Sequence, residues 1–209
     1  QPNLGTGYVI IDCVEKDLGV RCNPKSGHCK DGKRFVPIKL VDVAGLVPGA
    51  HEGKGLGNKF LDDLRQASSL IHIVDASGTT DEEGNPTSDH DPMRDIEFLE
   101  REIGLWLLSI LEKAAPKISK AKSNSEIIQI LSDQLSGLEI SRNHIEGTLA
   151  EFPNPVSSDF ATALRKKSKP ILVAANKCDM ESSRQNVERL VKSVSAVPTS
   201  AEAEIVLRM

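Results

Sequence analysis

Apolar and polar positions along these 209 residues change period several times. Residues 7–14, rich in Val and Ile, read as a strand that turns through Asn23-Pro24-Lys25-Ser26-Gly27 and returns over 35–41. The two make a hairpin-like pair with a long loop. Residues 56–67 read as a helix with Leu56, Phe60, Leu61 and Leu64 on one face, and 69–74 as the next strand. Residues 79–90, carrying Gly, Pro, Asp and Asn, read as a loop. Asp91 as N-cap and Pro92 in the first turn then open a helix. Its stripe is Ile96, Leu99, Ile103, Trp106, Leu107, Ile110 and Leu111, at three- and four-residue steps. Ser123-Asn124-Ser125-Glu126 reads as a capping box for a second helix carrying Ile127, Ile130, Leu131 and Leu135 and stopping at Gly137. A third is expected over 143–150, so the facing stripes predict an antiparallel helical hairpin. A helix over 159–167 leads into the apolar strand 171–175, and Val197-Pro198 runs into the small-residue turn Thr199-Ser200-Ala201. Strands alternating with helices predict an α/β chain with a mostly parallel sheet covered on both faces, binding its ligand at the carboxyl ends of the strands.

Three of those strand ends carry chemistry. Asn176-Lys177-Cys178-Asp179 leaves the buried strand 171–175, and an N-K-x-D tetrapeptide in that place is how P-loop GTPases read guanine. Guanine offers two donors on one edge, N1–H and the N2 amino group, and one carboxylate accepts both. Adenine has no matching donors, and a site built around paired hydrogen bonds rejects the wrong partner by roughly 10⁴–10⁵ because buried polar groups are left unpaired. Asp179 is therefore the candidate base reader, Lys177 the candidate to lie over the ring, and Asn176 the brace of the loop. The bland alternative for these residues is a strand end entering a turn. Upstream, Asp42-Val43-Ala44-Gly45 follows an apolar strand as a D-x-x-G match. In nucleotide hydrolases the Asp of such a match holds Mg²⁺, usually through water, and the Gly amide meets the terminal phosphate. Ser200 and Ala201 offer backbone amides for the guanine O6. The three elements in this order are far more specific than any one.

The stretch Asp42-Val43-Ala44-Gly45-Leu46-Val47-Pro48-Gly49-Ala50-His51-Glu52-Gly53-Lys54-Gly55-Leu56-Gly57-Asn58-Lys59-Phe60-Leu61 resembles the switch II segment of Obg-related GTPases, most closely the YchF (Obg-like ATPase) subfamily in its archaeal form. Ile71-His72-Ile73-Val74-Asp75-Ala76-Ser77 and the helix start after Asp91 extend the match. The resemblance implies a Ras-like P-loop GTPase domain interrupted by a helical insertion. Residues 1–90 are then its first part with switch II, 91–157 the insertion, and 158–209 its second part. It implies GTP and GDP with Mg²⁺ as ligands, hydrolysis of GTP to GDP and phosphate, a translation role at the ribosome, and a cytoplasmic monomer. Because Lys177 and Asp179 are kept, GTP is expected over the ATP preferred by many relatives; an ATPase, or a ribosome-binding module with negligible turnover, are the alternatives. Leu46 stands where Ras-like enzymes carry a water-positioning Gln, so His51, a bound cation or a partner is the candidate to orient water. The glycines between Gly45 and Gly57 suit a switch that orders on the γ-phosphate. No G-x-x-x-x-G-K-[ST] loop occurs, and Gln1-Pro2-Asn3-Leu4-Gly5 resembles the stretch just after the switch I threonine. The phosphate-binding loop and first strand are thus expected to precede Gln1, a TGS domain to follow, and these residues alone to be inactive.

Composition adds limits. The net charge of −4 argues against non-specific duplex binding through a basic face. A local patch of Lys113, Lys117, Lys120 and Lys122 reads as a solvated face or as a contact to ribosomal RNA phosphates. No apolar run approaches the ~20 residues that span a bilayer. Of four cysteines, Cys178 lies in the base-reading turn; Cys13, Cys22 and Cys29, with His28, surround one loop. Three Cys and one His could hold zinc, but the spacing has no C-x-x-C knuckle, so that signal is weak; reduced thiols are the expectation, with a Cys22–Cys29 disulfide as a minor alternative.

Overall fold

The structure, a computed structural model, describes residues 4–43, 60, 63–81 and 83–209 and divides into two compact units, Gln1–Ala44 and Gly45–Met209. In the first, β1 (Leu4–Asp12) pairs antiparallel with β3 (Lys33–Val41), which pairs on its other side with β2 (His28–Lys30). The expected hairpin is there. Short β2 and the one-turn helix α1 (Glu15–Leu18) occupy what reads in sequence as loop. On one face of this sheet the His28 ring stacks on Phe35 at 4.5 Å, with Tyr8 edge-on to both.

The second unit is built on a parallel sheet of β4 (Leu70–Asp75), β5 (Ile171–Asn176) and β6 (Ala196–Pro198), in the order β4-β5-β6. Alternation along β4 and β5 turns Val74, Val173 and Ala175 onto one buried face. They pack there with Ile96 of α2 (Pro92–Glu112) and Leu190 of α7 (Arg184–Ser193). On the opposite face Ile71, Ile73, Leu172 and Val197 are exposed. Of the helix expected over 56–67, residues 60 and 63–65 are helical, and 56–59, 61 and 62 lie outside the described residues.

Between β4 and β5 the chain is helical: α2, α3 (Ala115–Ile118), α4 (Asn124–Leu135), α5 (Arg142–Glu151) and α6 (Ser158–Ser168). Every residue of the predicted α2 stripe is buried. This helix packs against α4 and α6, on which Leu131, Leu135, Phe160 and Leu164 are inaccessible to solvent, as is Ile145 of α5. Caps set the boundaries. Asp91 accepts from the Met93 N–H at 2.9 Å, with Pro92 in the first turn. Ser123 accepts from the Glu126 N–H, but the Glu126 carboxylate turns to the Lys122 N–H at 2.7 Å, so only half of the expected box forms. A complete box stands instead at Ser141 and His144, where the imidazole replaces the usual acid. No described helix is long and apolar enough to cross a membrane.

Phe160→Ala removes a fully buried ring at the meeting of α2 and α6; a loss of about 3–5 kcal/mol in chemical denaturation is expected. A second prediction concerns His72 on β4. Burial pushes its imidazole down to about 4, against an upward pull from Glu100, and its Nδ1 has no hydrogen-bond partner among the described residues. The folded state thus favours the neutral ring. The stability this gives is complete above the unfolded value near 6.5 and is lost as pH falls toward 4. His72→Leu should remove roughly 3 kcal/mol of the parent's stability loss between those limits, read as the difference between two pH–denaturation series.

Candidate nucleotide site at the strand ends

β4 and β5 run parallel in a register that sets Asp75 beside Asn176 as their last residues. Both strands stop there for local reasons. Lys177 takes a left-handed φ of +60°, and Gly78 turns the other chain at φ +70°, where an added Cβ would meet the His90 carbonyl at 2.7 Å. The two strand ends are then cross-linked by side chains. The Lys177 ammonium donates to Asp75 Oδ2 at 2.7 Å and to Thr79 Oγ1 at 3.3 Å. The same carboxylate accepts from Thr80 Oγ1 at 2.7 Å and Thr79 Oγ1 at 3.0 Å on Oδ2, and from the Ser77 hydroxyl at 2.5 Å and N–H at 2.9 Å on Oδ1. Burial alone would push the Asp75 carboxyl up; the donors led by Lys177 outweigh it and hold the group well below the usual carboxylate range.

Asn176 ties in the third segment. Its Oδ1 accepts from the Ala201 N–H at 3.1 Å, while the Thr199 N–H donates to the Ala175 carbonyl and the Cys178 N–H to the Thr199 carbonyl. Ser200 caps α8 (Ala201–Arg208), accepting from the Ala203 N–H at 3.2 Å, so the expected small-residue turn is also a helix start. The Ala201 N–H is thereby committed to Asn176, and the Ser200 N–H has no acceptor among the described residues. Buried Ser183 pins the base of the 177–180 loop by donating to the Met180 and Cys178 carbonyls. Asp179 stands exposed on that loop with no partner among the described residues.

The structure therefore brings Asn176, Lys177, Asp179, Ser200 and Ala201 to one set of strand ends. Asp42 follows β3 in the other unit, and its side chain is exposed. Gly45 and His51 lie outside the described residues. Sequence reasoning missed Asp75, the hub of the site. Its signal was present: a strand-terminal Asp followed by hydroxyl residues at +2, +4 and +5, each placed to donate back to it.

A family model described as "Obg-like GTPase YGR210-like, G4 motif-containing domain" matches residues 174–209, and one described as "50S ribosome-binding GTPase" matches residues 13–103. Over 219 residues the chain is 48% identical to the "uncharacterized GTP-binding protein MJ1332" of Methanocaldococcus jannaschii, covering 100% of this chain and 56% of that protein. It is 29% identical over 216 residues to the "ribosome-binding ATPase YchF" of Bacillus subtilis, covering 99% of this chain and 55% of the other. Among solved structures, the crystal structure of a GTP binding protein from Pyrococcus horikoshii OT3 superimposes with a TM-score of 0.79 at 38% identity, over 99% of this chain and 60% of that one. The chain spans about half the length of the curated relatives it matches.

Asp75→Ala would leave the Lys177 ammonium and three hydroxyls without their common acceptor. A loss of about 2–4 kcal/mol is expected in urea denaturation, with Asp75→Asn intermediate because its amide oxygen still accepts.

Proposed function

Because the chain belongs to the Obg-related family of P-loop GTPases, we propose that the protein binds GTP and GDP and hydrolyses GTP, and that these residues carry the guanine-reading part of its site. The observation that carries this reading is the hydrogen-bonded frame Asp75–Lys177 and Asn176–Ala201, which holds the N-K-x-D loop while leaving the Asp179 carboxylate uncommitted. Asp179 is the acceptor for guanine N1–H and the N2 amino group. Lys177, its ammonium held at Asp75, lays its methylene stem along the ring face. The Ser200 N–H is the donor for O6, since that of Ala201 is engaged.

The rest of the site is assigned by resemblance. Asp42, at the carboxyl end of β3, is the residue to hold Mg²⁺ through water; the bound ion would neutralise charge developing on the β- and γ-phosphates. The Gly45 amide meets the γ-phosphate, water attacks it in line, and His51 is the candidate to orient that water in place of the missing Gln. Residues 91–157 are read as a helical insertion between the two parts of the nucleotide domain, 1–90 and 158–209, in a cytoplasmic monomer.

A second reading has one observation behind it. Lys113, Lys117, Lys120 and Lys122 are all exposed where α2 gives way to α3 and α4, so ribosome docking through RNA phosphates is the output and turnover is incidental. GTP hydrolysis by the intact protein, measured with and without ribosomes, separates the two: strong stimulation favours a regulated hydrolase, and slow unaltered hydrolysis favours the docking role.

The base site has a sharper test. In titrations of the intact protein with fluorescent nucleotides, GTP should bind far more tightly than ATP. Asp179→Asn should weaken GTP by roughly 10²–10⁴-fold, the worth of two hydrogen bonds to a charged acceptor, and gain affinity for xanthine nucleotides. Unchanged guanine affinity in that variant would refute the assignment. For His51, a slowed single-turnover rate in His51→Ala at unchanged GTP affinity is expected; an unchanged rate removes it from the mechanism.

A further inference from the structure

Cys13, Cys22 and Cys29 come from three separate pieces of chain: the end of β1, the loop after α1, and β2. Their sulfurs nevertheless lie within 4.8 Å of one another, with Cys29 Sγ 3.5 Å from Cys13 and 3.3 Å from Cys22. Backbone pairing puts them there. The Cys13 N–H donates to the Gly32 carbonyl at 2.9 Å, which folds the end of β1 over the β2–β3 turn. Cys29 pairs with Arg34, so both side chains share the face opposite the His28–Phe35 stack. That register removes His28 from the cluster, although sequence proximity grouped it with the thiols. All three cysteines are free thiols, so the Cys22–Cys29 disulfide is not formed.

Three converging thiols gain little from one another, because S–H is a weak donor and sulfur a weak acceptor. Their spacing suits something else. A disulfide brings sulfurs to about 2.05 Å. A tetrahedral ion with metal–sulfur bonds of about 2.3 Å sets its ligand sulfurs about 3.8 Å apart, inside the range observed here. Three thiolates around a divalent ion carry one net negative charge, and the Arg34 guanidinium lies 3.7 Å from Cys22 Sγ while donating to the Ser26 carbonyl at 3.3 Å. A cavity of about 410 Å³, lined by Cys22 and Cys29 together with Glu15, Arg21 and Asp31, opens beside the cluster and gives a fourth ligand room to approach. The setting also calls for a staple. Among the described residues before 44, Cys13 is the only buried one, and so small an apolar core does not hold a long loop by packing alone.

We propose that Cys13, Cys22 and Cys29 bind one thiophilic divalent cation of the zinc class in a tetrahedral site whose fourth position faces this cavity. The ion clamps the loop after α1 between β1 and β2. Loading converts three thiols to thiolates and releases three protons to solvent.

Zinc content and cobalt(II) substitution of the intact protein test this without reference to nucleotide. Wild-type protein and Cys178→Ser should hold about one zinc per chain after dialysis, and cobalt(II) should give thiolate-to-metal charge transfer with the intense visible bands of a tetrahedral site. Cys22→Ser and Cys29→Ser, at half-exposed positions, should fold yet lose both signals. A chelator should lower the melting temperature of the wild type and leave that of Cys22→Ser unchanged. Wild-type protein without zinc and without a cobalt–thiolate band would overturn the proposal. So would zinc retained in both Cys→Ser variants, or a denatured mass showing two of the three thiols joined as a disulfide.

Discussion

The Asp75–Lys177 ion pair is the constraint on which the second unit's strand ends depend. It joins residues 102 apart in sequence, across the tips of two parallel strands whose backbone pairing continues to the Ala76 N–H and the Asn176 carbonyl. A surface pair is worth about 0–1 kcal/mol, and Lys177 is partly exposed. Asp75 is not: only 10% of its side chain is accessible. Taking a carboxylate out of water at a strand end is favourable only when its lone pairs are filled, and Lys177, Ser77, Thr79 and Thr80 fill them. The ion pair therefore does less for net stability than for position. It accompanies the left-handed Lys177 conformation, in which the ammonium meets Asp75.

The same logic extends outward by shorter links. Asn186 on α7 donates to the Ala76 carbonyl at 3.0 Å, and Arg189, one turn on, pairs with Asp91, the cap of α2. A single helix thus grips the loop after β4 and the start of the helical region. Farther out, Arg165 on α6 pairs with Glu100 on α2 at 2.8 Å, and the buried Lys169 ammonium donates to the Ala67 carbonyl at 2.6 Å. Burial holds the Lys169 amine below its usual range, so the carbonyls of the segment before β4 are what keep it in place. The helices and the strand ends are coupled through polar contacts at known atoms as well as through the apolar core.

The α2 stripe, the Asp91-Pro92 start and the N-K-x-D loop were legible in sequence because each is a local code: a period, a cap, a tetrapeptide leaving an apolar strand. What escaped was set by distant partners. Strand β2 exists only because residues 28–30 find β3 across a two-residue turn, and three residues carry no period of their own. The Glu126 box failed in half because the Lys122 N–H competed for the same carboxylate, while His144 made a complete box that a search for Glu or Gln overlooks. Asp75 reads as the end of one strand, and its role appears only when β5 is laid beside it. The helix α8 went unread because Ser200 has two roles, ending the β6 turn and capping the helix that starts at Ala201.

The two candidate sites also differ in what holds them, and this difference says what each can do. At the strand ends, every charged or polar group needed to shape the loop is already satisfied, and the uncommitted groups, the Asp179 carboxylate and the Ser200 N–H, are those a planar hydrogen-bonding ligand would use. A frame completed before ligand arrives spends little of the binding free energy on ordering itself, which favours discrimination between closely similar bases. The cysteine cluster is the converse. Its sulfurs meet one another only through weak S–H···S contacts, and Arg34 sets a positive charge beside Cys22. Backbone pairing places both arrangements; one leaves planar hydrogen-bonding groups uncommitted and the other leaves three thiols converging. The first suits a ligand that must exchange, and the second suits an ion that stays.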